Sequence, residues 1–186
     1  MMKIKDIKKI FRLENGAVDC EVLFFGMEEY LPYTASPEDM DETGQRIWKE
    51  LQSGKWGEIS PFTVTPELIA AAKDAKKWEI EAWRTKQEAQ PFTFEWNGRT
   101  WNAGPDSMAR LYPAVMASKS DTARKTMVWG DAENQQVKLS MPELEELAAA
   151  MAQAVVERND EIYRRQREKK EALDTLEDLD AIRAFN

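Results

Sequence analysis

The side chains of this chain that could carry chemistry make a short inventory, and its gaps decide most of the reading. There is no histidine among the 186 residues, so Ser-His, Cys-His and His-metal chemistry are all closed to it. Cys20 is the single cysteine. That excludes an internal disulfide, a CxxC redox pair and a cysteine-built zinc or iron-sulfur site, and it fits a cytoplasmic origin. Carboxylates remain. Glu38, Asp39, Asp41 and Glu42 are dense enough to suggest a metal or a carboxylate dyad. They fall, however, in the first turns of an expected helix, where the dipole favours acids without any catalytic role. They also lack the alternating Asp/Asn spacing with a glycine that marks a calcium loop. Glu28 and Glu29 could serve a glycan-cleaving enzyme, but neighbours in an extended segment point to opposite faces. Ser118 and Lys119 are adjacent, and adjacency alone does not activate a nucleophile. Neither a GxGxxG run nor a GxxxxGK phosphate loop occurs, which removes the kinase and ATPase readings. The expectation is a protein without catalytic residues, metal or cofactor, and not an enzyme.

Charge and aromatic content narrow the partners. With 34 acids against 26 bases the formal charge is -8, so an unspecific grip on a phosphate backbone is not expected. The basic start, Met1-Met2-Lys3-Ile4-Lys5, is followed by no apolar run of a signal peptide, and nothing approaches a membrane span. Nucleic acid and membrane are therefore not expected partners. Tryptophan is used freely, seven times. Trp83, Trp96, Trp101 and Trp129 could pack together as a core or form an exposed recognition platform. The core reading places Trp83, Trp96 and Trp101 against the helix that starts near Asp106.

The elements that must position these groups read as α+β. Asn15-Gly16, followed by apolar residues from Ala17 to Phe25, predicts a small N-terminal hairpin with an edge near Lys8 to Leu13. Ser36-Pro37-Glu38-Asp39 predicts the start of a helix carrying Ile47, Trp48 and Leu51 and ending at Ser53-Gly54. Thr65-Pro66 opens a second helix that runs to about Ala89, with Leu68, Ile69, Ala72, Ile80 and Trp83 on its apolar side. Aromatics alternate on both sides of Asn97-Gly98, which predicts a hairpin over Phe92 to Trp101 closed by a type I′ turn. A helix from about Asp106 to Ser118 should kink or end early at Pro113. Lys125 to Trp129 and Gln136 to Leu139 read as a second short hairpin, and Ser140-Met141-Pro142-Glu143 is a capping box opening a long C-terminal helix. The chain thus divides into a small α+β region, 1–65, and an α+β domain with a long C-terminal helix, 66–186.

A further set of residues carries a resemblance. Ile80-Glu81-Ala82-Trp83-Arg84, the hairpin from Phe94 to Trp101, Asp106 to Leu111, Trp129, and Val137-Lys138-Leu139-Ser140 leading to Leu144 and Leu147 resemble a domain of unassigned function. That domain is common in tailed-phage and prophage proteins encoded beside tail fibre genes. Tyr30 to Pro37, Gly44 and Gly54 to Ile59 are similar to the front end of tail fibre assembly proteins. The resemblance implies a phage tail protein that binds or helps assemble the tail fibre, as a chaperone or accessory. The alternative it implies is a structural component retained in the virion tail that attaches the fibre or receptor-binding protein. Its place would be the host cytoplasm during assembly, or the virion tail. Tyr30, Tyr33, Trp48, Trp56 and Phe62 are the expected contact surface for a tail fibre or another tail protein, because a short loop-rich segment has little core for them to fill. Arg164 to Glu171 reads as a solvated bridge. Beyond it Leu173, Leu176, Leu179, Ile182 and Phe185 should dock onto a partner or a second copy rather than fold back, since no Gly or Pro marks a turn between Arg164 and Asp180.

Overall fold

A computed structural model describes residues 2–120 and 125–186. The architecture is α+β with small antiparallel sheets, and it divides into two units, Met1–Thr65 and Pro66–Asn186.

The first unit holds three strands rather than a hairpin: β1 (Ile4–Arg12), β2 (Val18–Phe24) and β3 (Leu31–Ala35), antiparallel in the order β1-β2-β3. Strand β1 buries Ile4, Ile7 and Ile10 at a spacing of three, which a regular strand with period two cannot do. Two register shifts, between Ile4 and Asp6 and between Lys8 and Phe11, re-aim the strand, and Lys9 takes φ 53° at the second. The inner face packs Val18, Cys20, Val22 and Phe24 against Ile47 and Leu51 of α1 (Glu42–Gln52). This helix begins six residues after Ser36. Its cap is Asp41, whose carboxylate accepts from the amides of Thr43 and Gly44, while Ser36 to Met40 turn the chain out of β3. Glu28 and Glu29 lie in a bend between β2 and β3, not in a strand.

The second unit is α2 (Pro66–Ala89), the hairpin β4 (Phe92–Trp96) and β5 (Arg99–Ala103), α3 (Pro105–Ser118), the hairpin β6 (Thr126–Gly130) and β7 (Gln136–Ser140), α4 (Met141–Asp174) and α5 (Leu179–Ala184). Asn97 and Gly98 both have positive φ, 50° and 72°, as a type I′ turn demands. Helix α3 runs through Pro113 to Ser118 without the early end its proline suggested. At the start of α4, Ser140 accepts from the amide of Glu143 while Glu143 accepts from the amide of Ser140, the reciprocal capping box read from the sequence.

Two clusters hold this unit. One places Trp101, Ala103, Leu111 and Leu139 against Leu144, Leu147 and Met151 of α4, with Trp96 and Trp129 partly buried on it. Trp96 meets Trp101 edge to face at 6.0 Å, and the Trp101 indole donates to the Trp96 carbonyl. Trp83 is not in this cluster. It sits on α2 with the Lys169 ammonium 5.3 Å from its ring, so four tryptophans do not form one core. The other cluster packs Ile80 with Leu173 and Ile182, supported by Ile69, Ala72, Leu176 and Phe185.

This second cluster overturns the protruding arm. The long helix stops at Asp174, and Asp178 caps α5 by accepting from the amide of Ala181. The chain therefore reverses without Gly or Pro. An Asp cap can restart a helix after four residues of ordinary backbone, and burial of Leu173, Leu179 and Ile182 holds the return.

Candidate functional site

Most of the aromatic residues expected at a partner surface are occupied by their own unit. Tyr33, Trp48 and Trp56 pack against the sheet core, so the premise that the front region lacks a core is not met. The Trp56 indole donates to Glu50 at 2.7 Å, with the Lys55 ammonium 4.6 Å from its ring. Tyr30 lies under the Lys8 ammonium at 3.5 Å and its hydroxyl donates to Asp6, which raises the phenol pKa above its ordinary value. Tyr33 donates to Asp39 at 2.6 Å. Burial first, and then that bond to a carboxylate, push its pKa up to about 12. Only Phe62 stays open, about a third exposed. Of the C-terminal set, Leu173, Leu179 and Ile182 are buried, and Leu176 and Phe185 are half-buried beside them.

The acidic residues are structural in the same sense. Asp41 caps α1, and Asp39 accepts from Tyr33 and from the Asp41 amide, which holds its carboxyl below the usual range. Ser118 donates to the Val115 carbonyl and to Glu145, not to Lys119. Among the described residues no group of three or more His, Cys, Asp or Glu could hold a metal ion, and no helix is long and apolar enough to cross a membrane. Cys20 is buried, and loss of solvation, then the neighbouring Asp19, push its thiol up to about 11, away from nucleophilic use at neutral pH. The stretch from Arg164 to Glu171 is an ion-paired helix face: Glu161 accepts from Arg164 and Arg165, each at 2.8 Å, and Arg164 pairs forward with Glu168.

A surface with exposed apolar groups lies on α2, and it holds the most exposed of the tryptophans. The inward side of this helix packs against the end of α4 and α5. Ile69, Ala72 and Ile80 meet the end of α4 and α5, Glu81 pairs with Lys170, Lys73 donates to the Asp174 carbonyl, and Arg158 donates to the Gln87 carbonyl. The opposite side carries Ala71, Ala75, Trp78, Ala82, Thr85 and Ala89, all exposed. Their spacing is four, three, four, three and four, the heptad spacing that places one row of side chains along a single line of a helix. Trp78 stands near the middle of α2 and is 76% exposed, the most open aromatic in the described chain. The Thr85 hydroxyl turns back to the Glu81 carbonyl, so it adds no demand for an outside partner. Asp74, Glu79 and Glu88 flank the row, with Lys86 the single base beside it.

Such a face can take a partner helix, with small residues as holes and Trp78 as the anchor, and its acidic borders favour basic flanks on the incoming side. The sequence held the signal, because the row is visible as Ala and Trp at heptad spacing. Reading only the larger aliphatics of α2 picks out its inward side instead.

Residues 71–185 match the family model described as a domain of unknown function, DUF4376. The match covers α2 from its second turn through α5, and so contains the buried residues of both clusters of the second unit and the whole Trp78 row. No curated protein and no solved structure matches the chain.

Proposed function

The chain belongs to the DUF4376 family, whose description assigns no activity, and we propose that it is a non-enzymatic phage tail protein that binds or helps assemble the tail fibre. The observation that carries the binding reading is Trp78, an indole left three-quarters open in the middle of a helix whose other side packs on α4 and α5. Soluble folds cover such groups, and tryptophans in this position are the usual anchors of protein interfaces. The tail assignment rests on the resemblance of the segments around Trp83, Trp96, Trp101 and Trp129. The inventory without histidine is consistent with it, since assembly factors need surfaces and no reacting groups.

The protein then acts in the host cytoplasm during assembly, with a helical part of a fibre or another tail protein on the α2 face. Co-expression with the neighbouring fibre gene, followed by co-purification, tests this. Trp78→Ser should leave the fold intact, because the side chain makes no core contact, and should abolish co-purification. Unchanged capture by Trp78→Ser would refute the α2 face, and no capture by the native chain would refute fibre binding. Mass spectrometry of purified particles separates the two forms of the reading: a chaperone leaves, and a structural component that attaches the fibre stays on the virion tail.

A further inference from the structure

A second surface of the Pro66–Asn186 unit is built differently. A cleft lies between α3, β5 and the β6–β7 turn, and it is lined by Asn102, Arg110, Val128, Trp129, Asp131 and Asn134. The turn that forms one wall is fixed from several directions. The buried Asp131 carboxylate accepts from the amides of Glu133 and Gln135 through one oxygen and from Arg99 through the other, at 2.9 Å. The amide of Ala132 donates to the Thr100 carbonyl, which ties the turn to β5. Asn134 is held at φ 59° beside Gly130.

With Asp131 consumed by these bonds, the polar side chains left among the lining residues are the Arg110 guanidinium and the carboxamides of Asn102 and Asn134, while Trp129, which packs on the Trp101 cluster, borders the cleft. None of these three polar groups has a hydrogen-bond or ion-pair partner among the described residues. Their chemistry is specific. The guanidinium offers a planar fork suited to a carboxylate. Two carboxamides offer donors and acceptors together, as neighbouring hydroxyls require. No free carboxylate lines the cleft to repel an anion, and Val128 is its one aliphatic side chain.

We propose that this cleft binds a sugar carboxylate, a uronic acid unit of an acidic glycan, with Arg110 on the carboxylate and the two asparagines on ring hydroxyls. A peptide carboxylate fits less well, because the aliphatic stem of an Asp or Glu residue and its neighbours would meet polar groups that they cannot satisfy. The site stands apart from the α2 face and does not depend on the tail reading, so either can fail alone.

The test is a titration of the full chain with glucuronic and galacturonic acids, followed by two-dimensional nitrogen-15 NMR. Glucose and free glutamate are the comparison arms. The expected result is saturable shifting of the Asn102 and Asn134 side-chain amides and of the Trp129 indole by a uronic acid. Glucose, lacking the carboxylate, should act more weakly, and Arg110→Gln should weaken uronate binding about tenfold or more, the usual effect of losing a charged hydrogen bond. Arg110 is exposed, and retained spectral dispersion will report that this variant folds. The inference is overturned if uronates leave these signals unmoved, if glucose matches them, or if Arg110→Gln binds as the native chain does. Glutamate shifting the same signals as strongly as uronate would overturn the saccharide assignment.

Discussion

Replacing Ile182 by alanine separates a tail that packs at home from one that seeks another molecule. Ile182 is completely buried, and it shares its cluster with Leu173 at the end of α4 and Ile80 at the centre of α2. Truncating a buried isoleucine to alanine costs about 2–5 kcal/mol, depending on how far the site can collapse. Helix α5 has only six residues and lies beside a half-buried rim of Leu176 and Phe185, so partial collapse is available. The lower half of the range, about 2–3 kcal/mol, is the expected loss. For a unit of this size that corresponds to a fall of roughly 10 °C in melting temperature. Calorimetry of the full chain reads the fall, and amide hydrogen exchange should place it in α2 and the end of α4. Ala184→Ser, on the exposed side of the same short helix, should leave the transition where it was. Light scattering supplies the decisive comparison: the mass in solution should be the same for native chain and Ile182→Ala. A variant that melts like the native protein but changes mass would show that this residue serves an intermolecular contact, and the packing argument would fail.

Two other outcomes follow from the first unit. Gly44→Ala should lower the urea midpoint of that unit despite alanine's better helix propensity, because its Cβ would lie 2.0 Å from Asp39 Oδ2 and 2.3 Å from the Tyr33 hydroxyl. An unchanged or raised midpoint would refute the claim that this bond occupies the space over α1. Ultraviolet titration should show a phenol ionising near pH 12 that is lost in Tyr33→Phe. Since its folded pKa is raised, the stabilisation from the protonated phenol is fully present below the ordinary value of about 10 and disappears as pH rises through 12. A Tyr33 that ionises near the ordinary phenol value of about 10 would contradict the geometry.

Local grammar was the legible part of this fold. Asn97-Gly98 between aromatic runs, and Ser140 with Glu143, each satisfy backbone groups within a few residues, so the sequence alone suffices to place them. Strand β3 was not separable from its surroundings, because Leu31-Pro32-Tyr33-Thr34-Ala35 shows no apolar alternation and contains a proline acceptable only at a sheet edge. The sequence reading started α1 at Ser36 where the structure caps it at Asp41, and the Tyr33 to Asp39 bond beside that start depends on tertiary placement. The return at Thr175 to Asp178 was hidden for a related reason. What closes it is burial against Ile80, roughly a hundred residues upstream. The candidate interface on α2 was written in plain view, yet alanines at heptad spacing look like ordinary helix formers until the other side of the helix is known to be taken.

That long-range closure has an effect on how the chain acquires its shape as it is made. Lys73 and the Asp174 carbonyl it binds are 101 residues apart, and α2 has its inward side covered only by α4 and α5. A ribosome synthesising this protein at about 5–20 residues per second would therefore release α2 several seconds before its covering helices emerge. In that interval Ile69, Ile80 and Trp83 are as open as Trp78. The residues of the first unit, Met1–Thr65, carry their own core and can fold as they appear. If α2 is helical before its covering helices emerge, a helical partner present at the ribosome would meet both of its faces.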